Sequence, residues 1–296
     1  MPLVPTGQIV AAGPVCAFNV IALEHAEAIV AGAEAAGRPV ILQISENAVR
    51  FHGRLPAIAA GTRAVAASAA VDVALHLDHV VSPDLWRSAP EHGFGSVMVD
   101  ASRLPYRENV AATRAAAEFA HASGLWVEAE LGTVGGKDGE PPVDPHAPGA
   151  RTEPDEAAAY VAATGVDALA VAVGSAHAMT TRNAVLDQPL IERLRAAVPV
   201  PLVLHGSSGV PDDELRRAVA AGIVKVNIGT ALNVAFTGAV RQALAARPDV
   251  VDPRRYLTPA RDAMSGTVAR FCRLVAGDDE TSRRVDAGLA VTVRES

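Results

Sequence analysis

Three histidines carry the first chemical suggestion. His79 and His205 stand at the ends of apolar runs, and His177 stands just beyond another. A single histidine after such a run is ordinarily a hydrogen-bonded residue. Three at equivalent places form a ligand set, because neutral imidazoles converging on one point suit Zn2+ or a similar divalent ion and leave positions open for a substrate. Polar residues also end the other runs: Asn19, Ser45-Glu46-Asn47, Asp78, Asp100-Ala101-Ser102, Glu128 with Glu130, and Asn227 with Thr230. Two short segments, Gly206-Ser207-Ser208-Gly209 and Asn227-Ile228-Gly229-Thr230, have the small residues that let backbone N–H groups approach a phosphate. The first of them reads equally well as a plain turn. His52, His92, His121 and His146 fall in helices or loops and read as surface residues.

The elements that must position these residues alternate along the chain. Strands are expected at Val15–Val20, Pro39–Ser45, Val71–His79, Ser96–Ser102, Trp126–Gly132, Ala168–Ser175, Pro201–Gly206 and Val224–Ile228. Several are near-continuous apolar runs, as strands covered on both faces are. Helices are expected between them at Leu23–Ala36, Arg107–Ala122, Asp155–Thr164 and Asp212–Ala221, each with a glycine shortly after its end. The alternation predicts an α/β fold, a (β/α)8 TIM barrel with an extra C-terminal helical segment, and an open doubly wound sheet is its rival. In such a barrel the strands' C-terminal ends carry the site, and the loops after strands 7 and 8 commonly hold phosphate. Adjacent strand residues face opposite ways, so Asp78 and His79 share a site only if the chain turns there. Residues 132–153, rich in Gly, Pro and Asp, read as a long functional loop. Beyond Ala246 an irregular link, Pro248–Pro259, precedes a helix at Pro259–Val275. The extension from about residue 250 to 296 is expected to pack on the barrel or a neighbouring subunit, and residues 1–296 to form a single domain.

Composition narrows the class. The 296 residues are half hydrophobic with a formal charge of -7 and no basic stripe, which argues against nucleic acid as partner. Apolar stretches such as Val65–Leu75 fall short of the roughly 20 residues that span a bilayer. The N-terminus lacks a basic signal-peptide region. Two widely separated cysteines, Cys16 and Cys272, fit a reducing, cytoplasmic setting. Lys137 and Lys225 are the two lysines, which limits any lysine-based chemistry.

With these residues in place, the chain resembles the class II fructose-bisphosphate and tagatose-bisphosphate aldolases over essentially its whole length. The matching segments are Ala17-Phe18-Asn19, Pro39–Gln43, Leu75–His79, Val127–Gly132 followed by Gly135-Gly136, Ala170–His177, Leu202–Gly206 and Lys225–Ile228. The resemblance implies that His79, His177 and His205 bind the metal, with Asp100 and Glu130 as further ligands nearby. It implies Asp78 as catalytic acid/base, and a dihydroxyacetone-phosphate subsite drawn from Asn19, Ser45, Gly174, Gly206, Ser207, Ser208, Asn227, Gly229 and Thr230. A loop acid two residues after Gly-Gly would exchange a proton with dihydroxyacetone phosphate. That position is Asp138 here, with Glu140 close by as the alternative. Cofactors implied are Zn2+ or another divalent transition metal and a monovalent cation. The partners implied are a phosphorylated sugar and further copies of the chain in a homodimer or homotetramer. The implied reaction is reversible cleavage of a ketose 1,6-bisphosphate, fructose 1,6-bisphosphate foremost, as in glycolysis. Tagatose bisphosphate and a deoxy-keto-gluconate phosphate are the alternative substrates. Ala178, Ala231, Ala101 and Asn47 depart from residues common in the family, which bears on substrate more than on reaction type. Two other readings are a Schiff-base aldolase using Lys225 and a non-catalytic sugar-phosphate-binding barrel.

Overall fold

The computed structural model describes residues 3–132, 134–136, 145 and 149–278. Eight strands form in the order expected: β1 (Val15–Asn19), β2 (Val40–Ser45), β3 (Val73–Val80), β4 (Ser96–Val99), β5 (Trp126–Leu131), β6 (Ala168–Val171), β7 (Leu202–Leu204) and β8 (Ile223–Ile228). Each pairs in parallel with the next, and β8 pairs with β1, so the sheet closes into a barrel rather than remaining open. The apolar runs are buried on both faces because the barrel interior lies on one side and a helical layer on the other; Val40, Ile41, Leu42 and Ile44 are all fully covered.

The helices are α1 (Thr6–Ala12), α2 (Leu23–Ala36), α3 (Glu46–His52), α4 (Pro56–Ala67), α5 (Pro83–Ser88), α6 (Tyr106–Ala122), α7 (Pro154–Thr164), α8 (Gln188–Ala197), α9 (Asp212–Ala221), α10 (Thr230–Ala246) and α11 (Arg254–Ala276). The four expected helices are present to within a residue at each end. The acidic first turn of α9, Asp212-Asp213-Glu214, lies at the positive end of its helix dipole.

Three strands stop two to four residues earlier than expected. β4, β6 and β7 end at Val99, Val171 and Leu204, and the residues after them leave the sheet to build loops at the barrel mouth. The C-terminal region also differs from expectation. The helix begins at Arg254 and carries Pro259 inside it, where an irregular link was expected. Proline lacks the N–H that would bond to the carbonyl of Arg255, four residues earlier. That carbonyl instead accepts from Arg247 Nη2 at 3.4 Å, which offsets part of the cost.

The interior is layered. Near the strand N-termini Val15, Ala17, Ile41 and Ala74 pack with Ile9 and Val10 of α1, which closes the barrel floor. Thr6 of α1 reaches Ser96 at the start of β4, with 2.6 Å between the hydroxyls. One strand period higher, the inward residues turn polar: Gln43 and His76 are register partners on β2 and β3, and Glu128 and Lys225 come from β5 and β8. Among the described residues no helix is long and apolar enough to cross a membrane.

Candidate active site and metal centre

The three histidines converge at the mouth. Ring centroids of His79 and His177 lie 5.1 Å apart, those of His79 and His205 4.7 Å, and those of His177 and His205 5.7 Å. One ligand atom from each of them and one from Glu130 all fall within 4.8 Å of one another. The donor set, three imidazoles and a carboxylate, fits a divalent transition metal. Carboxylates stand behind two of the rings, as they do behind metal-binding imidazoles generally. Asp100 Oδ2 is 2.8 Å from His79 Nδ1, and Glu128 Oε1 is 2.9 Å from His205 Nε2. With Nε2 of His205 taken by Glu128, its Nδ1 lies on the side of Glu130, 2.9 Å from Oε2.

Asp78 and His79 reach the same site because β3 bends between them. The β3–β4 register shifts between Leu77 and Val80, and His79 has a φ of 48°. A left-handed residue at a bulge re-aims the side chains around it. The side chain of Asp78 is thus buried among the interior polar groups, while the His79 ring stands at the rim. Asp78 Oδ2 accepts from Asn19 Nδ2 at 3.1 Å, and Asn19 Oδ1 accepts in turn from Gln43 Nε2 at 3.1 Å. Burial works to raise the Asp78 carboxyl, but the fields of His79, His76, Lys225 and His205 outweigh it and hold the group below its ordinary value. Burial likewise works to lower His205, yet hydrogen bonds to Glu128 and Glu130 push it up to about 9.

A cavity of about 300 Å³ opens above this cluster. Of the residues expected in the phosphate subsite, Asn19, Ser45, Gly206, Ser208, Asn227, Gly229 and Thr230 line it, together with Asp78, His79, Asp100 and His177. Gly174 and Ser207 do not; the Ser207 hydroxyl is turned into its own loop, donating to Leu204 O at 3.1 Å. Ser208 Oγ accepts from the N–H of Ala231 at 3.0 Å and so ties the loop after β7 to the start of α10. Asp138 and Glu140 lie outside the described residues.

The sequence named Glu128, Lys225 and His76 within matching motifs, and beyond that Glu128 as a strand end and Lys225 as a rival nucleophile, without giving any of them a place in the proposed site. In the structure all three are fully buried. Lys225 Nζ donates to Glu128 Oε2 and to Asn227 Oδ1, each at 2.8 Å, and Lys225 does not line the cavity. The Schiff-base reading therefore lacks an accessible amine. Strand periodicity contained the signal: Lys225 and Asn227, like Glu128 and Glu130, are two residues apart and share a face. A lysine inside an otherwise apolar strand is stable only beside a carboxylate.

Comparisons with known proteins agree with this geometry. The model of the family described as fructose-bisphosphate aldolase class-II matches residues 12–280. The fructose-bisphosphate aldolase of Geobacillus stearothermophilus is 41% identical over 257 residues, covering 85% of this chain and 87% of that protein. The probable fructose-bisphosphate aldolase of Bacillus subtilis (strain 168) is 41% identical over 254 residues, covering 85% and 88%. The crystal structure of the YdjI aldolase from Escherichia coli K12 superposes with a TM-score of 0.77 at 31% identity, covering 93% of this chain and 96% of that one. Barrel, histidine cluster and likenesses lead to one assignment: the chain belongs to the class II fructose-bisphosphate aldolase family and is a lyase of reversible aldol cleavage.

Proposed function

We propose that the chain cleaves fructose 1,6-bisphosphate reversibly to dihydroxyacetone phosphate and glyceraldehyde 3-phosphate, using Zn2+ held by His79, His177 and His205 with Glu130 beside them. The observation that carries this reading is the convergence of those four ligand atoms next to the buried, ionised Asp78. The bound metal would supply Lewis-acid polarisation of the substrate carbonyl and stabilise the negative charge that develops on cleavage. Asp78 takes the proton of the C4 hydroxyl as the C3–C4 bond breaks and returns it in condensation. Its lowered pKa keeps it ready as the base, and Asn19 fixes its second oxygen. The backbone around Gly206, Ser208 and Gly229 and the Thr230 hydroxyl receive a phosphate at the start of α10. Asp138 or Glu140 protonates C3 of the dihydroxyacetone-phosphate half.

The two buried free cysteines support a cytoplasmic setting, and a glycolytic role follows from the substrate. Assembly into a homodimer or homotetramer is supported by α10, where Leu232 is buried but Val234 and Leu244 are exposed.

A coupled cleavage assay on fructose 1,6-bisphosphate, tagatose 1,6-bisphosphate and a deoxy-keto-gluconate phosphate, with and without chelator, tests the reading. Fastest turnover of the fructose substrate, abolished by chelator and restored by Zn2+, is expected. Full activity after chelation overturns the metal assignment. Preference for either other substrate overturns the substrate. Binding of dihydroxyacetone phosphate without cleavage or C3 proton exchange would make the chain a binding protein.

A further inference from the structure

Lys225 has no part in the chemistry above, yet the structure commits much to it. It is one of two lysines in a chain that otherwise uses arginine, and it is fully buried inside the barrel. Its ammonium donates to two groups that point toward different parts of the site. One is Asn227 Oδ1 at 2.8 Å, two residues on along β8 and on the same inward face. The other is Glu128 Oε2 at 2.8 Å, from β5. Glu128 passes the connection on, since its second oxygen is 2.9 Å from His205 Nε2.

The bond to Asn227 fixes more than a distance. An ammonium has three donors and no acceptor, so the amide oxygen must face it. A flipped amide would set an NH2 group against the ammonium, donor to donor. The Asn227 NH2 is thereby turned away from the lysine, and among the described residues it has no hydrogen-bond partner although it is buried. Asn227 lines the cavity, so the group offered there is a donor, ready for an anionic or carbonyl oxygen. The bond to Glu128 acts on the other side. Glu128 Oε1 accepts from Nε2–H of His205 and leaves Nδ1 on the side of Glu130 and the other histidines.

We propose that Lys225 is the positioning residue of this site: it sets the Asn227 amide with its NH2 toward the oxygen of a bound phospho-ketose and, through Glu128, sets the ring of His205 toward the metal. The proposal rests on the aldolase reading for the identity of the ligand. Because one ammonium serves both groups, substrate binding and metal binding share a single support in the barrel interior.

The test is a double-mutant cycle with dihydroxyacetone phosphate as probe. Lys225→Met keeps the volume of the stem but strands a buried carboxylate; the paired variant Lys225→Met/Glu128→Gln removes both charges together. Binding of dihydroxyacetone phosphate and of Zn2+ is measured by calorimetry on the paired variant, on Asn227→Ala and on the triple variant. The paired variant is expected to bind dihydroxyacetone phosphate about tenfold more weakly at saturating Zn2+, the worth of about one hydrogen bond, and Zn2+ itself about ten- to a hundredfold more weakly. Adding Asn227→Ala should then cost nothing further for the phosphate ligand, since the amide is already misdirected. Asn227→Asp, which keeps a partner for the ammonium but turns a carboxylate oxygen toward the ligand, should lose at least as much ligand affinity as Asn227→Ala while keeping the contact to Lys225. Additive losses, or Zn2+ affinity unchanged in the paired variant, overturn the proposal and leave Lys225 a purely structural residue. Failure of the unaltered protein to bind dihydroxyacetone phosphate overturns the aldolase reading with it, so the two failures are told apart by the parent protein.

Discussion

Asp78 is where chemistry and electrostatics meet at the level of one residue. A base proposed to accept a proton has to be ionised before the substrate arrives, and the fields of His79 and Lys225 hold the Asp78 carboxyl below its ordinary value against the cost of its burial. Asp78→Asn keeps the shape and the contact with Asn19 but cannot accept the proton. It is expected to lower kcat by about 10²- to 10⁴-fold with Zn2+ content unchanged, checked by steady-state kinetics alongside metal analysis; loss of metal together with activity would place Asp78 among the ligands instead. Ala178 shows the opposite situation, a residue that costs stability. It lines the cavity beside His177 with a φ of 58°, a conformation that strains an L-residue by about 1–2 kcal/mol. Glycine there gives back about 0.5–1 kcal/mol through the freedom of its unfolded chain. Ala178→Gly is therefore expected to stabilise the metal-free protein by about 0.5–1 kcal/mol, read as a higher urea midpoint with an unchanged slope.

At the scale of elements, the site depends on loops that touch one another across strand ends. The N–H of His177 bonds to Gly135 O at 2.7 Å, which ties the end of the β6 segment to the loop after β5. Gly136 beside it has a φ of 85°, and a Cβ there would sit 2.4 Å from the carbonyl oxygen of His177. Gly136→Ala must push His177 out of line, so a drop in Zn2+ affinity of about ten- to a hundredfold is expected, with the far-UV circular dichroism unaltered. An unchanged affinity would show that His177 is not positioned by this contact. The same scale separates what the sequence makes legible from what it does not. Eight buried parallel strands read as apolar runs because both their faces are covered, and the polar residues at their ends mark the mouth. The turn at His79 was required by the Asp78–His79 adjacency, but its form was not, since a bulge depends on how β4 pairs with β3. Pro259 read as a helix boundary because the rescue of its freed carbonyl comes from Arg247, on the far side of a loop. Lys225 and Glu128 were invisible as a pair because they lie on strands that are not neighbours and meet only across the closed barrel.

The whole molecule inherits a pH dependence from that closed interior. His76 is fully buried; burial first and the field of Lys225 next lower it to about 3, so it stays neutral in the folded state. Once unfolded it titrates near 6.5, and between those values the unfolded chain binds one more proton than the native protein, so stability falls as pH drops below 6.5. His205 has the reverse sign. Held up at about 9 by Glu128 and Glu130, it contributes fully below 6.5 and loses that contribution as pH rises toward 9. The two rings together place a stability maximum of the metal-free protein near pH 6.5, with a loss of about 2 kcal/mol two pH units to either side. Urea titrations across pH on chelator-treated protein measure both arms. His76→Asn, which can still meet the Ser96 hydroxyl that lies 2.8 Å from His76 Nδ1, should flatten the acid arm alone. Zn2+ should flatten the alkaline arm alone, because an ion on His205 takes the place of the proton that stabilises it at low pH. An acid arm that survives His76→Asn would move that sensitivity to His25, whose ring burial also lowers, and to the buried carboxylates Asp78 and Glu128, both held below their ordinary values. An alkaline arm unaffected by Zn2+ would mean that His205 does not bind it.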